Sequence, residues 1–437
     1  MKLFARFVNR STSKVDRFSV RLAALTGVAA ALLLACQIVI GPTPAAPPPP
    51  TLTPRAASAP TARVEGVPDF ACTKPHPAAA GFGYGIQSQY AVGDIGYWNR
   101  VIAEKLGLNW VKAQVRWRDF EPVAGAYATY KFALLDVFIK DANERGLNIL
   151  LSVVDAPFDL RSAYDPRDPD RLGPPDDTAE AVRFFGLLAR RYRGCAQAIE
   201  IWNESNLARE WTTPRTLSAG RPDAAEFAAF LGAVGQTLKR IDPDLIVIAG
   251  GLAPTGANGP QSRDDIVYLG ELTAAGGLSA VDCVGAHLNG FNLPPDQRHD
   301  AGYNDPTAGF RGPFDNPHHS WSVQSTLDAY RRISPKPICV TEFGWATMEN
   351  LGVAGAPPGF GFALDNTEAE QAAWIVRAFE LMREGGAVRL AIVFNLDYIA
   401  KAGTSAADDS SLSYSLIRKN GVPRPAFDAL ERMPKRP

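Results

Sequence analysis

The segment Ile199-Glu-Ile-Trp-Asn-Glu-Ser-Asn206 (IEIWNESN) carries strand-forming residues straight into a polar tip that includes Asn203 and Glu204. One reading is local, since Asn and Ser suit the start of a following helix. The other is chemical: a carboxylate at a strand tip stands where a barrel of alternating strands and helices places its reacting groups. The choice depends on what surrounds the segment. The run Ala198–Glu204 has seven counterparts: Gly81–Gln87, Trp110–Trp117, Asn148–Val154, Leu245–Gly251, Cys283–Gly290, Pro337–Trp345 and Arg389–Leu396. Helix-like stretches such as YWNRVIAEKLG, ATYKFALLDVFIKDANERG and TAEAVRFFGLLARRYRG separate them, and each of these three ends in Gly, a frequent helix stop. Eight strand-then-helix units over roughly 350 residues predict an α/β fold, a (β/α)8 barrel with extended βα loops. A doubly wound open sheet is the alternative. It would call for a Gly-rich dinucleotide fingerprint, and GYGIQSQYAVG does not make one.

Side-chain parity supports the barrel. In WVKAQVRW, Lys112, Gln114 and Arg116 share one face, and Val111, Ala113 and Val115 share the other. The apolar face packs on helices, so the polar face points into the lumen and needs partners there. Glu200 has lumen parity on its own run and is the expected partner of Lys112. An edge strand with a solvated face is the alternative for this run.

The second carboxylate lies in KPICVTEFGW. Glu342 closes a nearly continuous apolar run, a costly place for an acid unless a site uses it. Two glutamates at the C-terminal ends of the fourth and seventh strands are the equipment of glycoside hydrolysis, one a proton donor and the other a nucleophile or base.

The composition excludes little else. The chain has 437 residues, 46% hydrophobic and 21% charged, with a formal net charge of -1, which describes a globular protein with ample core and gives no electrostatic reason to expect nucleic acid as a partner. Its five histidines show no metal-ligand spacing, and the adjacent His318-His319 suits a loop better than a chelate, so neither a metal nor a cofactor is expected.

The N-terminus reads as a targeting segment. Lys2, Arg6, Arg10, Lys14, Arg17 and Arg21 precede an apolar stretch from Leu22 to Ile40, as in an export signal. Leu33-Leu34-Ala35-Cys36 resembles a bacterial lipobox, and the stretch is also about long enough to span a bilayer uncleaved. Lipid on Cys36 and an uncleaved anchor both remain open. The division is then residues 1–40 as signal or anchor, 41–66 as a Pro/Ala-rich spacer, and 67–437 as the barrel. The barrel is expected outside the cytoplasm, tethered only through its N-terminal segment, and monomeric. In an oxidising compartment Cys72 and Cys195, each just ahead of a strand, would meet and pair at the barrel floor, while Cys283 and Cys339, inside strands, would stay reduced.

The whole pattern resembles clan A of the glycoside hydrolases, retaining enzymes built on this barrel. The resemblance runs from about Gly81 to Ala429. It rests on Trp202-Asn203-Glu204-Ser205-Asn206, with Ser205 where the clan usually has Pro, and on Thr341-Glu342-Phe343-Gly344-Trp345. Arg116-Trp117 with Glu121-Pro122, Gly125 and Tyr127 is similar to the stretch after strand two in many members. Family 39 and its polysaccharide-active relatives are nearest, and family 5 cellulase-like enzymes second.

The resemblance implies an acid/base role for Glu204, with its pKa raised by burial or a neighbouring carboxylate. It implies a nucleophile role for Glu342, kept ionised by a cation such as Arg116. Asn203 would bond the sugar 2-hydroxyl, and His287 would orient Glu342 or a sugar hydroxyl. Trp345, Trp321 and Trp211 are candidate sugar platforms, with core packing as the alternative for each. Strand eight reads VFNLDY where the clan often has Trp, so Asn395, Asp397 or Tyr398 is expected to contact the sugar instead. Long insertions after strands six and seven, rich in aromatics, would wall the substrate groove. The activity implied is retaining cleavage of a polysaccharide or oligosaccharide. A barrel that binds glycan without cleaving it and a transglycosylase are the alternatives.

Overall fold

The short apolar runs become strands buried on both faces, because helices cover the outside and side chains fill the inside. The computed structural model describes residues 64–90, 93–353, 355–398 and 410–436, so the export segment and nearly all of the spacer lie outside the described residues. The strands are β1 (Gly83–Gln87), β2 (Trp110–Arg116), β3 (Asn148–Val154), β4 (Ala198–Ile201), β5 (Ile246–Leu252), β6 (Cys283–Gly290), β7 (Ile338–Trp345) and β8 (Val388–Val393). They pair in parallel and in sequence order, and β1 pairs with β8 to close the barrel. The expected (β/α)8 architecture is observed, with strand boundaries displaced by only a few residues.

Helices between strands start where the sequence supplies caps. Asp177, Asp223 and Thr367 accept amide hydrogen bonds at the starts of Thr178–Arg191, Ala224–Ile241 and Glu368–Glu384, the last through a capping box with Glu370.

Parity on β2 holds. Val111, Ala113 and Val115 pack in the outer core, whereas Trp110 joins Leu150, Ala198, Ile246, Ile248, Leu390 and Ile392 in an apolar floor of the lumen. One pleat higher, Lys112 Nζ stands 3.2 Å from Glu200 Oε2, with both side chains inaccessible to solvent. The predicted lumen pair is present.

Both pairs of barrel cysteines are bonded. Cys72–Cys195 has a Cα separation of 5.7 Å and spans 123 residues, a loop for which chain entropy predicts about 4–5 kcal/mol of stabilisation. Cys283–Cys339 is also a disulfide, again with Cα atoms 5.7 Å apart, which corrects the expectation that these two stay reduced. The reason is register. β6 and β7 are neighbours, Gly285 pairs with Cys339, and both cysteines belong to the lumen floor, where their Cβ atoms converge. Burial keeps solvent out but does not keep two facing thiols apart.

Candidate active site

Glu204 does not sit on a strand. β4 ends at Ile201, because Trp202 and Glu204 adopt φ angles of 73° and 42°, in the left-handed region that non-glycine residues rarely occupy. Such conformations cost about 1–3 kcal/mol each and persist only when their surroundings impose them. Here they do. The Trp202 and Glu204 amides donate to Val153 O and Gly251 O, at 3.1 and 2.9 Å, and the Trp202 indole donates to Glu210 O at 2.9 Å. Asn206 donates to Ala253 O and Arg263 O and accepts from the Ala253 amide, which ties the far side of the turn to the loop after β5. Glu342, by contrast, lies within β7, opposite His287 and just past an irregularity in the pairing of β6 with β7.

The two carboxylates meet at one imidazole. His287 Nδ1 lies 3.0 Å from Glu204 Oε1 and 3.9 Å from Glu342 Oε2. Burial alone would lower the His287 pKa, but the charges of Glu342 and Glu204 and the bond to Glu204 outweigh it, and the net shift is upward. Beneath them Lys112 Nζ donates to Glu342 Oε1 at 2.9 Å and to Thr341 O at 3.2 Å. Burial opposes the Lys112 charge, yet Glu200 and Glu342 carry its pKa above the ordinary value, so it stays an ammonium. Glu200 also accepts from the Gly251 amide at 3.0 Å, and despite its burial the Lys112 charge draws its pKa down.

Glu204 departs from expectation. Burial pushes its pKa up, but the His287 hydrogen bond and charge, followed by the Arg209 charge, pull it below the ordinary value. Arg209 is mostly exposed and bridges Glu204 Oε2 at 3.4 Å and Glu210 Oε1 at 3.5 Å. The anticipated elevation appears six residues on. Burial, then the charge of Glu204, pushes the Glu210 carboxyl up to about 7.

Several expected partners are reassigned. Arg116 does not attend Glu342. It stands half-exposed at the barrel rim, 3.7 Å from Asp155, which also pairs with Arg118 at 2.7 Å and Arg161 at 3.5 Å. Lys112 supplies the cation instead, because it sits two pleats lower on the same face of β2, level with Glu342. Asn203 is buried beside Glu210, with Oδ1 enclosed and without a hydrogen-bond partner among the described residues.

Trp345 is fully buried and donates to Leu293 O, and Trp211 is buried against Trp202, Phe227 and Phe230, so neither offers a face to a sugar. Trp321 is half-buried and leans on Phe291 and Phe310. Asn395 is also buried, donating to Ser411 O and accepting from the Tyr398 amide, so it shapes the chain after β8 rather than facing a ligand. Asp397 is likewise buried and accepts from the Gln89 amide. Glu121 is structural too: it accepts from the Trp117 indole, the Gly125 amide and Arg183, which also donates to Tyr127.

The two long loops are joined to one another. Asp365 accepts from the Gly309 and Phe310 amides and from Asn292, joining the insertion after β6 to the one after β7.

Three site residues carried no local signal. Glu210 is one. Tyr414 is another: burial, with the charges of Glu204 and Glu342, holds its hydroxyl far above the ordinary pKa. The third is Gly251, where a Cβ would overlap the His287 ring and crowd Thr341 Oγ1. A side chain there would displace the imidazole that joins the two glutamates.

Similarity to solved structures agrees with the barrel. A family 39 glycoside hydrolase from the gut symbiont Bacteroides cellulosilyticus superposes with a TM-score of 0.53 at 17% identity, over 84% of this chain and 64% of that one. A monomeric β-xylosidase from Caulobacter crescentus gives 0.51 at 17% identity, over 82% of this chain and 69% of that one. An exo-β-1,4-mannosidase from an Opitutaceae bacterium gives 0.52 at 15% identity, over 83% and 61%. The chain thus spans less than two thirds of the length of the first and third. No protein-family model matches the chain, and no curated protein sequence does. At these identities the likeness defines the class of fold, the barrel that family 39 and related glycoside hydrolases use.

Proposed function

We propose that this chain is an exported retaining glycosidase that cleaves O-glycosidic bonds of a polysaccharide or oligosaccharide by double displacement. The observation that carries the reading is the unequal treatment of two glutamates that share one imidazole. Glu342 is held by a buried ammonium that cannot leave, which suits it to the nucleophile's role. Glu204 is held by a titratable imidazole and an exposed guanidinium, so it can exchange a proton.

Passage of one proton from His287 Nδ1 to Glu204 Oε1, across 3.0 Å, makes Glu204 the acid that protonates the departing oxygen as Glu342 attacks the anomeric carbon. In the second half, the Glu204 carboxylate takes a proton from water, and that water displaces Glu342. Asn203 bonds the sugar 2-hydroxyl, and Trp321 with the joined loops forms the groove wall. The glycosidase descriptions of the structural neighbours support the reading, and two disulfides favour an oxidising compartment outside the cytoplasm.

Incubation of the full chain with aryl β-glycosides and a polysaccharide panel, following the first-formed anomer by NMR, tests it. Products of retained configuration are expected. An inverted product, or tight binding without turnover, would overturn the double displacement, and the latter would make the barrel a glycan-binding module.

A further inference from the structure

Outside the glutamate site, the fold assembles a second group of convergent side chains. Asp264, at the end of the loop after β5, meets His318 and His319, from the end of the insertion after β6, and the three ligand atoms lie within 4.8 Å of one another. His319 Nε2 stands 3.2 Å and His318 Nε2 3.6 Å from the same oxygen, Asp264 Oδ2. Asp265 lies beside them, fully buried, with Oδ1 3.7 Å from His319 Nε2. Neither Asp265 oxygen makes a hydrogen bond of ordinary geometry among the described residues, although the Tyr330 hydroxyl and the Asp265 amide approach the carboxylate.

The two histidine-to-Asp264 spacings are those of coordination edges. A tetrahedral ion with ligands at about 2.0–2.2 Å separates those ligands by roughly 3.3–3.6 Å. A hydroxyl oxygen stands beside the outer nitrogen of each ring. His318 Nδ1 faces Ser320 Oγ at 3.0 Å and His319 Nδ1 faces Thr326 Oγ1 at 3.4 Å, so each ring can donate from Nδ1 and turn its Nε2 lone pair inward. The Thr326 hydroxyl already donates to His319 O, which leaves its oxygen to accept. The Ser320 amide also approaches His318 Nδ1, at 3.3 Å, so metal binding selects the other tautomer of that ring. Asp264 keeps its second oxygen for capping, accepting the Ile266 and Val267 amides, and this fixes the carboxylate in place.

We infer that Asp264, His318 and His319, with Asp265 as the fourth group, form a structural site for a divalent transition metal of zinc type. Two imidazoles and carboxylate oxygens suit a borderline ion rather than calcium or magnesium. The ion would pin the loop after β5 to the insertion after β6. Arg263, next to Asp264, donates its amide to Asn206 O and accepts from the Asn206 side chain, so the pinned loop continues into the turn that carries Glu204.

The test uses the full chain without an affinity tag, stripped with chelator and titrated with zinc and with cobalt(II). One equivalent per chain is expected, with intense visible bands from four-coordinate cobalt and a Tm that rises with zinc concentration. His318→Gln, at a partly exposed position, and His319→Gln should each abolish that equivalent, as should Asp264→Asn, which retains a capping oxygen. Near-UV circular dichroism of the metal-free variants should match the metal-free parent. Absence of stoichiometric uptake, or uptake that survives in either histidine variant, would overturn the site.

Discussion

The ends of β4 and β7 present the same side chain by opposite means. At β7 Glu342 lies within the strand, at an irregularity in its pairing with β6 and β8, and a buried lysine on a facing strand meets the carboxylate. At β4 the strand stops three residues short, and a turn with two left-handed residues swings Glu204 toward the same imidazole. A strand position met by a buried ammonium gives a fixed carboxylate in a fixed field. A strained turn backed by a glycine-lined loop gives one whose partners are a histidine and a surface arginine. On the proposed reading the difference separates the nucleophile from the proton carrier, the two roles a retaining mechanism needs.

The largest effect expected from breaking this contrast is at β7. Glu342→Gln should lower kcat by about 10⁴-fold or more on every substrate, with circular dichroism unchanged, because no neighbouring group can replace the nucleophile. Glu204→Gln should be selective. Turnover of substrates with poor leaving groups should fall by about 10²–10⁴-fold, while activated aryl glycosides should lose little in the glycosylation step, as burst kinetics would show. Equal losses on both substrate types would remove Glu204 from the acid role.

Lys112→Met sharpens the comparison from below. It leaves the charges of Glu200 and Glu342 buried without their ammonium, so urea unfolding should show a loss of about 3–5 kcal/mol. Adding Glu200→Gln should recover part of that loss.

The smallest effect concerns His287 and Glu204 together. The His287 pKa is raised above its ordinary 6.5, so its contribution to stability is complete below about 6.5 and fades as pH rises through the folded value. The Glu204 pKa is depressed below its ordinary 4.5, so its contribution is present above about 4.5 and fades as pH falls through the folded value. The Tm difference between the parent and His287→Gln should therefore peak between these limits and narrow on both sides. A difference independent of pH would mean that the imidazole acts only by packing.

The amino-acid sequence by itself determined the barrel, the lumen parity of Lys112 and Glu200, the meeting of Cys72 and Cys195 at one end, and the two glutamates at strand ends. Each follows from a short-range rule: period-two alternation, apolar runs closed by an acid, helix stops between them. Only the tertiary structure decided which residues stand level with one another. It set Lys112 rather than Arg116 against Glu342, joined Cys283 to Cys339, hid Trp345, Trp211 and Asn395, and drew Glu210 and Tyr414 to the site. It also brought Asp264 to the adjacent pair His318 and His319, which look like a plain loop when read along the chain. The physical reason is that parity tells which face a side chain takes, whereas its height in the barrel depends on the stagger between strands and on the path of long loops. Those are set by the packing of the whole barrel, and no stretch of a few residues contains them.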